Sequence, residues 1–267
     1  MVGVSAPDPD DVRLAGALVR EAGSLAARMR ADGVEGLGVE QKTSVSDVVT
    51  AADRAAEELV ARRLSEERPD DGVLGEEGVD EPGTSGRRWV IDPVDGTYNF
   101  LSGLTWWCSA VALLDGDELV LGAIYHPHDD ALHLGGPGLP STRDGVPIGP
   151  LRDVPLARTS MATYFAPGDL AASAGAGAAF YRAAGSAAAV RMLGSGSMDA
   201  TAVAQGQVGL VLQHSVPPWD ELPGAALVRG AGGTTQRVRH EGLEWYAAGA
   251  PTAVAQACAA LVDGADG

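Results

Sequence analysis

The chain has 267 residues, 45% apolar and 21% charged, enough for one large globular domain or two closely joined halves. Thirty-six acidic against 19 basic side chains give a formal charge of -17, a field that repels phosphate backbones and argues against nucleic acid as a partner. The two cysteines, Cys108 and Cys258, lie far apart with no histidine beside either, which excludes a disulfide framework and argues against a zinc or iron–sulfur site.

In chain order, Val12, Leu14, Leu18, Val19, Leu25 and Met29 recur at helical spacing, so the pattern predicts a helix over residues 11–30 capped by the Asp-rich lead-in. That lead-in, MVGVSAPDPDD, lacks the basic and apolar stretches of a secretory leader. No apolar run approaches the roughly 20 residues of a membrane helix. A cytoplasmic protein with no membrane partner is expected. Past a Gly-rich break, a second helix is expected to begin near Thr50 and run through AADRAAEELVARRLSEE until Pro69 stops it. Short apolar runs follow at 73–75, 89–91, 108–114 and 119–125, the last two joined by DGDE, a good hairpin turn. Two helices ahead of a run of strands predict α+β layering, with the first sheet closing near Leu134. Residues 135–150 read as loop around one short hairpin, while Ala-rich 171–180 suits a helix and is not taken as a flexible tether. Beyond Arg191 the spacing predicts a helix over 197–205, a strand over 208–213, a helix after Pro218 and a strand near Gly233.

The segment that carries chemistry is WVIDPVDGTYNF, residues 89–100. An apolar strand runs straight into Asp92, Pro93 and Asp95, so two carboxylates at a strand end can converge on one hard cation. Gly96 lets the backbone approach a ligand, and a helix starting at Thr97 would aim N–H groups at a phosphate. Taken alone, D-P-x-D could equally be a capped turn. Glu76 and Glu77 follow the apolar run at 73–75, Asp47 and Asp53 flank VVTAA, and Asp220 follows Trp219. Each one separately reads as a helix cap or solvated charge; their recurrence at element junctions favours a metal-binding set.

GEE at 75–77, DPVDGTYNF at 92–100 and PWD at 218–220 together resemble the signature of the inositol monophosphatase family, with SDVVTAAD at 46–53 and GAGG at 230–233 similar to its flanking segments. The resemblance implies an α/β chain with α+β layering, the five-layered αβαβα sugar-phosphatase fold. It implies an N-terminal half, residues 1–134, with most metal ligands, and a C-terminal half, residues 135–267, with the substrate pocket. It implies two or three Mg2+ ions on Glu76, Asp92, the Val94 carbonyl, Asp95 and Asp220. Catalysis would fall to Glu76, to Thr97 as orienter of the attacking water, and to Asp53, which hydrogen-bonds near it. Gly96 and Thr97 would hold the phosphate through backbone N–H groups, with Lys42 near the metal site. Gly194, Ser195, Ser197 and Gln213 would face the rest of the substrate, Asp199 being placed on the same helix. The implied reaction is hydrolysis of a small phosphate monoester by in-line attack of metal-activated water, in a lithium-sensitive homodimer. The charge neutralisation and positioned nucleophile that phosphoryl transfer needs are what such a site supplies. Two rival readings are a family member that binds or regulates without turnover, and a two-carboxylate glycosidase. The retained acids oppose the first, and the D-P-x-D-G-T run is unexplained by the second.

Departures from the family pattern fall on the leaving-group side. WDELPG places Leu222 and Pro223 where small residues are usual, tolerable if they lie in the first helical turn. Gly230 replaces a glutamate, Thr105 a common proline, and Trp106-Trp107 is bulkier than typical, a pair that suits core or interface. Gln213 stands seven residues before Asp220, where inositol-specific members carry a glutamate that bonds a ring hydroxyl. Glutamine keeps the length, loses the charge and gains donors. His214 and Ser215 add polar groups beside it, unless the three simply end a strand.

Overall fold

The computed structural model describes residues 7–33, 38, 40–41, 48–165 and 173–263. Helix α1 (Pro9–Ala31) starts as its sequence dictates: the Asp8 side chain accepts from the Asp10 N–H, Pro9 occupies the first helical position, and Arg28 and Arg30 sit at the carbonyl end. Its Leu14, Leu18, Val19 and Ala22 are buried. Asp11, on the same face, is buried too and accepts from Arg68 (Nε 3.0 Å, Nη2 2.9 Å) and Arg87 (Nη2 2.6 Å). Two guanidiniums thus compensate one desolvated carboxylate and pin three segments together. Helix α2 (Ala51–Glu67) begins with a capping box in which Thr50 and Asp53 satisfy each other's backbone N–H groups.

Strands β1 (Glu40–Gln41) and β2 (Val48–Val49) form a two-stranded ribbon. The main sheet comprises β3 (Gly72–Gly75), β4 (Asp80–Glu81), β5 (Arg87–Asp95), β6 (Cys108–Asp115), β7 (Glu118–His126), β8 (Ala131–Gly136), β9 (Leu139–Arg143) and β10 (Val146–Pro147). Its order is β10-β9-β8-β7-β6-β5-β3-β4, antiparallel except for the β3–β5 pair. The expectation that this sheet closes near Leu134 is corrected: Leu134 lies inside β8, and the sheet continues to Pro147. The Gly-rich stretch that reads as loop is close packing. A Cβ on Gly135 would stand 2.2 Å from Ser141 Oγ, and one on Gly136 2.3 Å from the Val120 carbonyl.

After the short helix α3 (Thr97–Ser102) and the hairpin strands, the second sheet uses β11 (Ser160–Ala162), β12 (Ala189–Arg191), β13 (Leu210–His214), β14 (Thr234–His240) and β15 (Leu243–Gly249). The order is β12-β11-β13-β15-β14, with the first three parallel. Helices α4 (Ala174–Gly185), α5 (Gly196–Ala204), α6 (Pro218–Gly230) and α7 (Pro251–Val262) complete the chain. Helices α1 and α2 cover one face of the large sheet, α5 and α6 fill the space between the sheets, and α4 and α7 cover the far face of the small one. These are the five αβαβα layers. No helix among the described residues is long and apolar enough to cross a membrane.

Helix α6 lies close on β7, where a Cβ on Gly122 would stand 2.5 Å from the Pro223 carbonyl. Pro223 falls inside α6, past the first turn where proline is tolerated at no cost, and forgoes one helical hydrogen bond. The tryptophan pair is internal. Trp107 is buried edge-on against Phe100 with centroids 4.8 Å apart, and half-buried Trp106 donates its indole N–H to Asp199 at 3.0 Å. Gly230 has no space for a side chain: a Cβ would stand 2.5 Å from Ser141 Oγ and 2.6 Å from the Leu139 carbonyl. The β8–β9 hairpin occupies that volume, and Ser141 Oγ donates to the Leu227 carbonyl at 2.7 Å.

Candidate active site

Strand β5 ends at the site. Asp92 pairs with Ala110 and Asp95 with Cys108, so two residues of β5 face one of β6 and the ladder bulges between them. A bulge re-aims side chains, and this one lets Asp92 and Asp95 share a cavity. Ser109 Oγ secures it by donating to the Pro93 carbonyl at 2.5 Å, and the Val94 N–H donates to Asp92 Oδ1 at 3.1 Å. Asp220, in the first turn of α6, meets them from the other half of the chain. One carboxylate oxygen each from Asp92, Asp95 and Asp220 lies within 4.8 Å of the others, the one group among the described residues tight enough for a common ion. Glu76, just past β3, lines the same cavity but stands outside that triad.

The electrostatics are those of crowded, desolvated carboxylates, a setting that suits a cation. Burial, reinforced by Glu76, Asp95 and Asp220, pushes Asp92 well above the usual carboxylate range. Its Oδ2 is enclosed and accepts no hydrogen bond from any described residue. A buried, orphaned carboxylate oxygen beside two further carboxylates costs free energy that a hard, oxygen-seeking cation would offset. Burial also raises Asp95, offset by donors on α5: the Ser197 N–H at 2.5 Å and the Gly196 N–H at 3.1 Å. Asp95 thus caps a helix of the middle layer from a strand of the large sheet.

Asp53 is both things its position allows. It closes the capping box of α2, and its Oδ1 accepts from Thr97 Oγ1 at 3.0 Å. Burial raises it to about 6 against the pull of the Thr50 and Thr97 hydrogen bonds. Thr97 Oγ1 is also 3.0 Å from the Val94 carbonyl, so one hydroxyl proton serves two acceptors. Gly96 between them has φ +93, and a Cβ there would stand 3.0 Å from the Gly194 carbonyl. Only glycine meets both demands.

Gly194, Ser195 and Gln213 all line the cavity. Ser195 caps α5, and Gln213, buried on β13, places Oε1 beside Gly196, 3.9 Å from where a Cβ on that glycine would lie. His214 lines the cavity while its ring packs on Phe165 and Trp245, centroids 5.0 and 5.3 Å away. Ser197 and Asp199 are buried in α5 and line no part of the cavity. Lys42 and Asp47 lie outside the described residues.

Two residues that sequence reasoning passed over hold the site's frame. Asn99 Nδ2 donates to the Trp106 and Leu193 carbonyls at 2.8 and 2.7 Å, tying α3 to the segment before α5. Glu57, buried on α2, accepts from the Glu77 N–H at 2.8 Å and the Val79 N–H at 3.0 Å, fixing the turn that carries Glu76. The spacing from Asp53 puts Glu57 one turn along the same buried face, the only signal that marked it. Glu57→Ala is expected to cost about 2 kcal/mol of stability, the scale for unpartnered buried donors, and to lower kcat/KM about tenfold, with Glu57→Gln recovering part of both. Urea unfolding beside phosphate release measures it; lost stability with full activity would make Glu57 purely structural.

The comparisons with known proteins agree with this geometry. The profile described as Inositol monophosphatase family matches residues 9–262. An inositol-1-monophosphatase of Rhizobium meliloti is 34% identical over 203 residues, 70% of this chain and 71% of that one. A histidinol-phosphatase of Streptomyces coelicolor is 46% identical over 110 residues, 41% of this chain and 40% of that one. The crystal structure of the extragenic suppressor protein suhB of Bartonella henselae superposes with a TM-score of 0.85 at 26% identity, over 96% of this chain and 99% of that one. Fold and relatives together define a phosphoric monoester hydrolase of a metal-dependent class. The chain belongs to the inositol monophosphatase family.

Proposed function

We propose that this protein hydrolyses a small phosphorylated alcohol with Mg2+, two or three ions in all, held by Glu76, Asp92, the Val94 carbonyl, Asp95 and Asp220. The observation that carries the reading is the Asp92–Asp95–Asp220 cluster with Asp92 Oδ2 left unpartnered. Magnesium at these residues supplies charge neutralisation for the phosphoryl oxygens and acidity for the attacking water. The chain does the rest. The Gly96 and Thr97 N–H groups orient the phosphate, and the Thr97 hydroxyl, backed by Asp53, positions the water for in-line approach. The water oxygen bonds to phosphorus as the ester P–O bond breaks, and the departing alcohol oxygen takes a proton. Gly194, Ser195 and Gln213 contact the alcohol. The active species in this reading is a homodimer, as in the family it resembles, with a cytoplasmic setting.

The test is phosphate release from a panel containing inositol 1-phosphate, histidinol phosphate, sugar monophosphates and nucleoside 5′-monophosphates. Turnover of at least one ester, lost on chelation and restored by magnesium, is the expected result. Turnover that survives complete chelation would sink the metal role, and silence across the panel would favour a binding or regulatory protein.

A further inference from the structure

Beyond the acid cluster, the cavity has a second character. Its volume is about 800 Å³, several times what a phosphate needs. Of the eight exposed large hydrophobic side chains among the described residues, four line it: Tyr98, Leu104, Tyr164 and Met192, exposed by 52, 53, 44 and 54%. They come from three separate places. Tyr98 and Leu104 belong to α3 and its end, Tyr164 follows β11, and Met192 follows β12. Strands β11 and β12 are parallel neighbours, so Tyr164 and Met192 leave the same edge of the sheet, where ligands settle in open α/β sheets. Solvated apolar side chains gathered from unrelated segments around one concavity mark a binding surface.

The charges in the cavity sharpen this. All of its carboxylates, Glu76, Asp92, Asp95 and Asp220, sit at the phosphate end, and no lysine or arginine is among the described residues that line it. A second phosphate on the substrate would want a guanidinium or ammonium and would meet a chain of formal charge -17. A polyhydroxylated ring would want a polar partner for each hydroxyl, because hydroxyls desolvated without partners lose affinity. Deeper in, Ser195 and Gln213 can serve a hydroxyl near the ester, but around the exposed rim it would find two phenol rings, a thioether and a leucine.

We propose that the alcohol recognised by this enzyme carries an aromatic ring on a short carbon linker, seated on the apolar mouth formed by Tyr98, Leu104, Tyr164 and Met192, and bears no second phosphate. This rests on the phosphatase reading for the position of the phosphate. Flat rings pack on tyrosine faces and on methionine sulfur with more than their area's worth of attraction.

The experiment compares 2-phenylethyl phosphate with glycerol 2-phosphate, inositol 1-phosphate and fructose 1,6-bisphosphate. The phenylethyl ester has an ordinary alkoxide leaving group, so intrinsic reactivity does not bias the result. It is expected to show kcat/KM at least tenfold above each of the others. Tyr164→Ser and Met192→Ser, changes at exposed side chains, are expected to shrink its ratio to glycerol 2-phosphate to threefold or less. A wild-type preference for inositol 1-phosphate or the bisphosphate overturns the inference, as does an aryl preference that both variants retain. If no ester of this set or of the wider panel is turned over with magnesium, the phosphatase reading fails. The same ratio, read then as dissociation constants by calorimetry, still decides the aryl preference: tenfold tighter binding supports it and equal binding refutes it.

Discussion

Asp92→Asn is expected to make the magnesium-free protein more stable and the magnesium-loaded protein nearly inert. The two signs have one cause. Asp92 is 1% exposed, raised by burial and by three neighbouring acids, and carries an oxygen without a partner. An uncharged amide of the same shape removes that repulsion, worth about 1–3 kcal/mol by analogy with other buried charges replaced by neutral groups. For a chain of this size that is a rise of roughly 2–6 °C in Tm. The same change removes a candidate metal ligand, and losing one electrostatic contributor at a reacting centre costs about a thousandfold in kcat. Thermal unfolding with and without magnesium, beside phosphate release, reads both effects. A variant that melts lower without metal, or still gains stability from magnesium as the wild type does, would contradict the assignment of Asp92.

The second expectation concerns acid. His133 on β8 is 3% exposed, and neither ring nitrogen has a well-formed hydrogen bond to a described residue. Burial, helped by Arg143 and His126, lowers its pKa to about 4, against a smaller upward pull from Asp144 and the Ile124 backbone opposite it. The fold therefore holds the ring neutral in a range where the unfolded chain protonates it. Between pH 6.5 and about 4 the unfolded state binds more protons, so stability falls as pH falls and levels off below the folded-state value. At 1.36 kcal/mol per unit, this one side chain accounts for about 3 kcal/mol across that window. His133→Leu should be as stable as wild type or more so at pH 7.5, and should shed that part of the acid sensitivity. Urea midpoints at half-unit steps test it. The raised Asp53 and Asp199, at about 6 and about 7, add slopes of the opposite sign to both proteins, so the informative quantity is the difference between them. Parallel curves would refute the assignment.

How far the sequence could be read depended on whether local patterns or distant partners set the structure. Thr50 through Asp53 is a local signal, and the helix starts there because a capping box needs nothing beyond four residues. The run into Asp92 and Asp95 is similarly self-contained, although the bulge that aims both carboxylates depends on β6. Glycine misleads at the start of 135–150, although the short hairpin expected there is present as β9 and β10. Gly135 and Gly136 are strand residues because Ser141 and the Val120 carbonyl crowd them, a fact about neighbours that no window of sequence contains. Helix α7 and strand β15 escaped notice for different reasons: alanine on both faces of α7 blurs the contrast between its buried stripe (Ala253, Val254, Ala257, Cys258, Leu261) and its exposed one, and β15 is buried on both faces from Trp245 to Gly249, without the alternation that periodicity detects. Spacing places Glu57 on a buried face but not its role, because its partners are backbone N–H groups about twenty residues on. The mouth of the cavity was equally hidden, since Tyr98, Tyr164 and Met192 meet only through the fold.

Gly230 carries a consequence for variation. Its missing side chain is matched by the β8–β9 hairpin, which fills the volume a side chain would take. A side chain at 230 would drive the Ser141 hydroxyl and the Leu139 carbonyl out of contact. The two segments have become a matched lock. Either segment can vary only within what the other permits, so a side chain engineered at 230 requires a rebuilt hairpin.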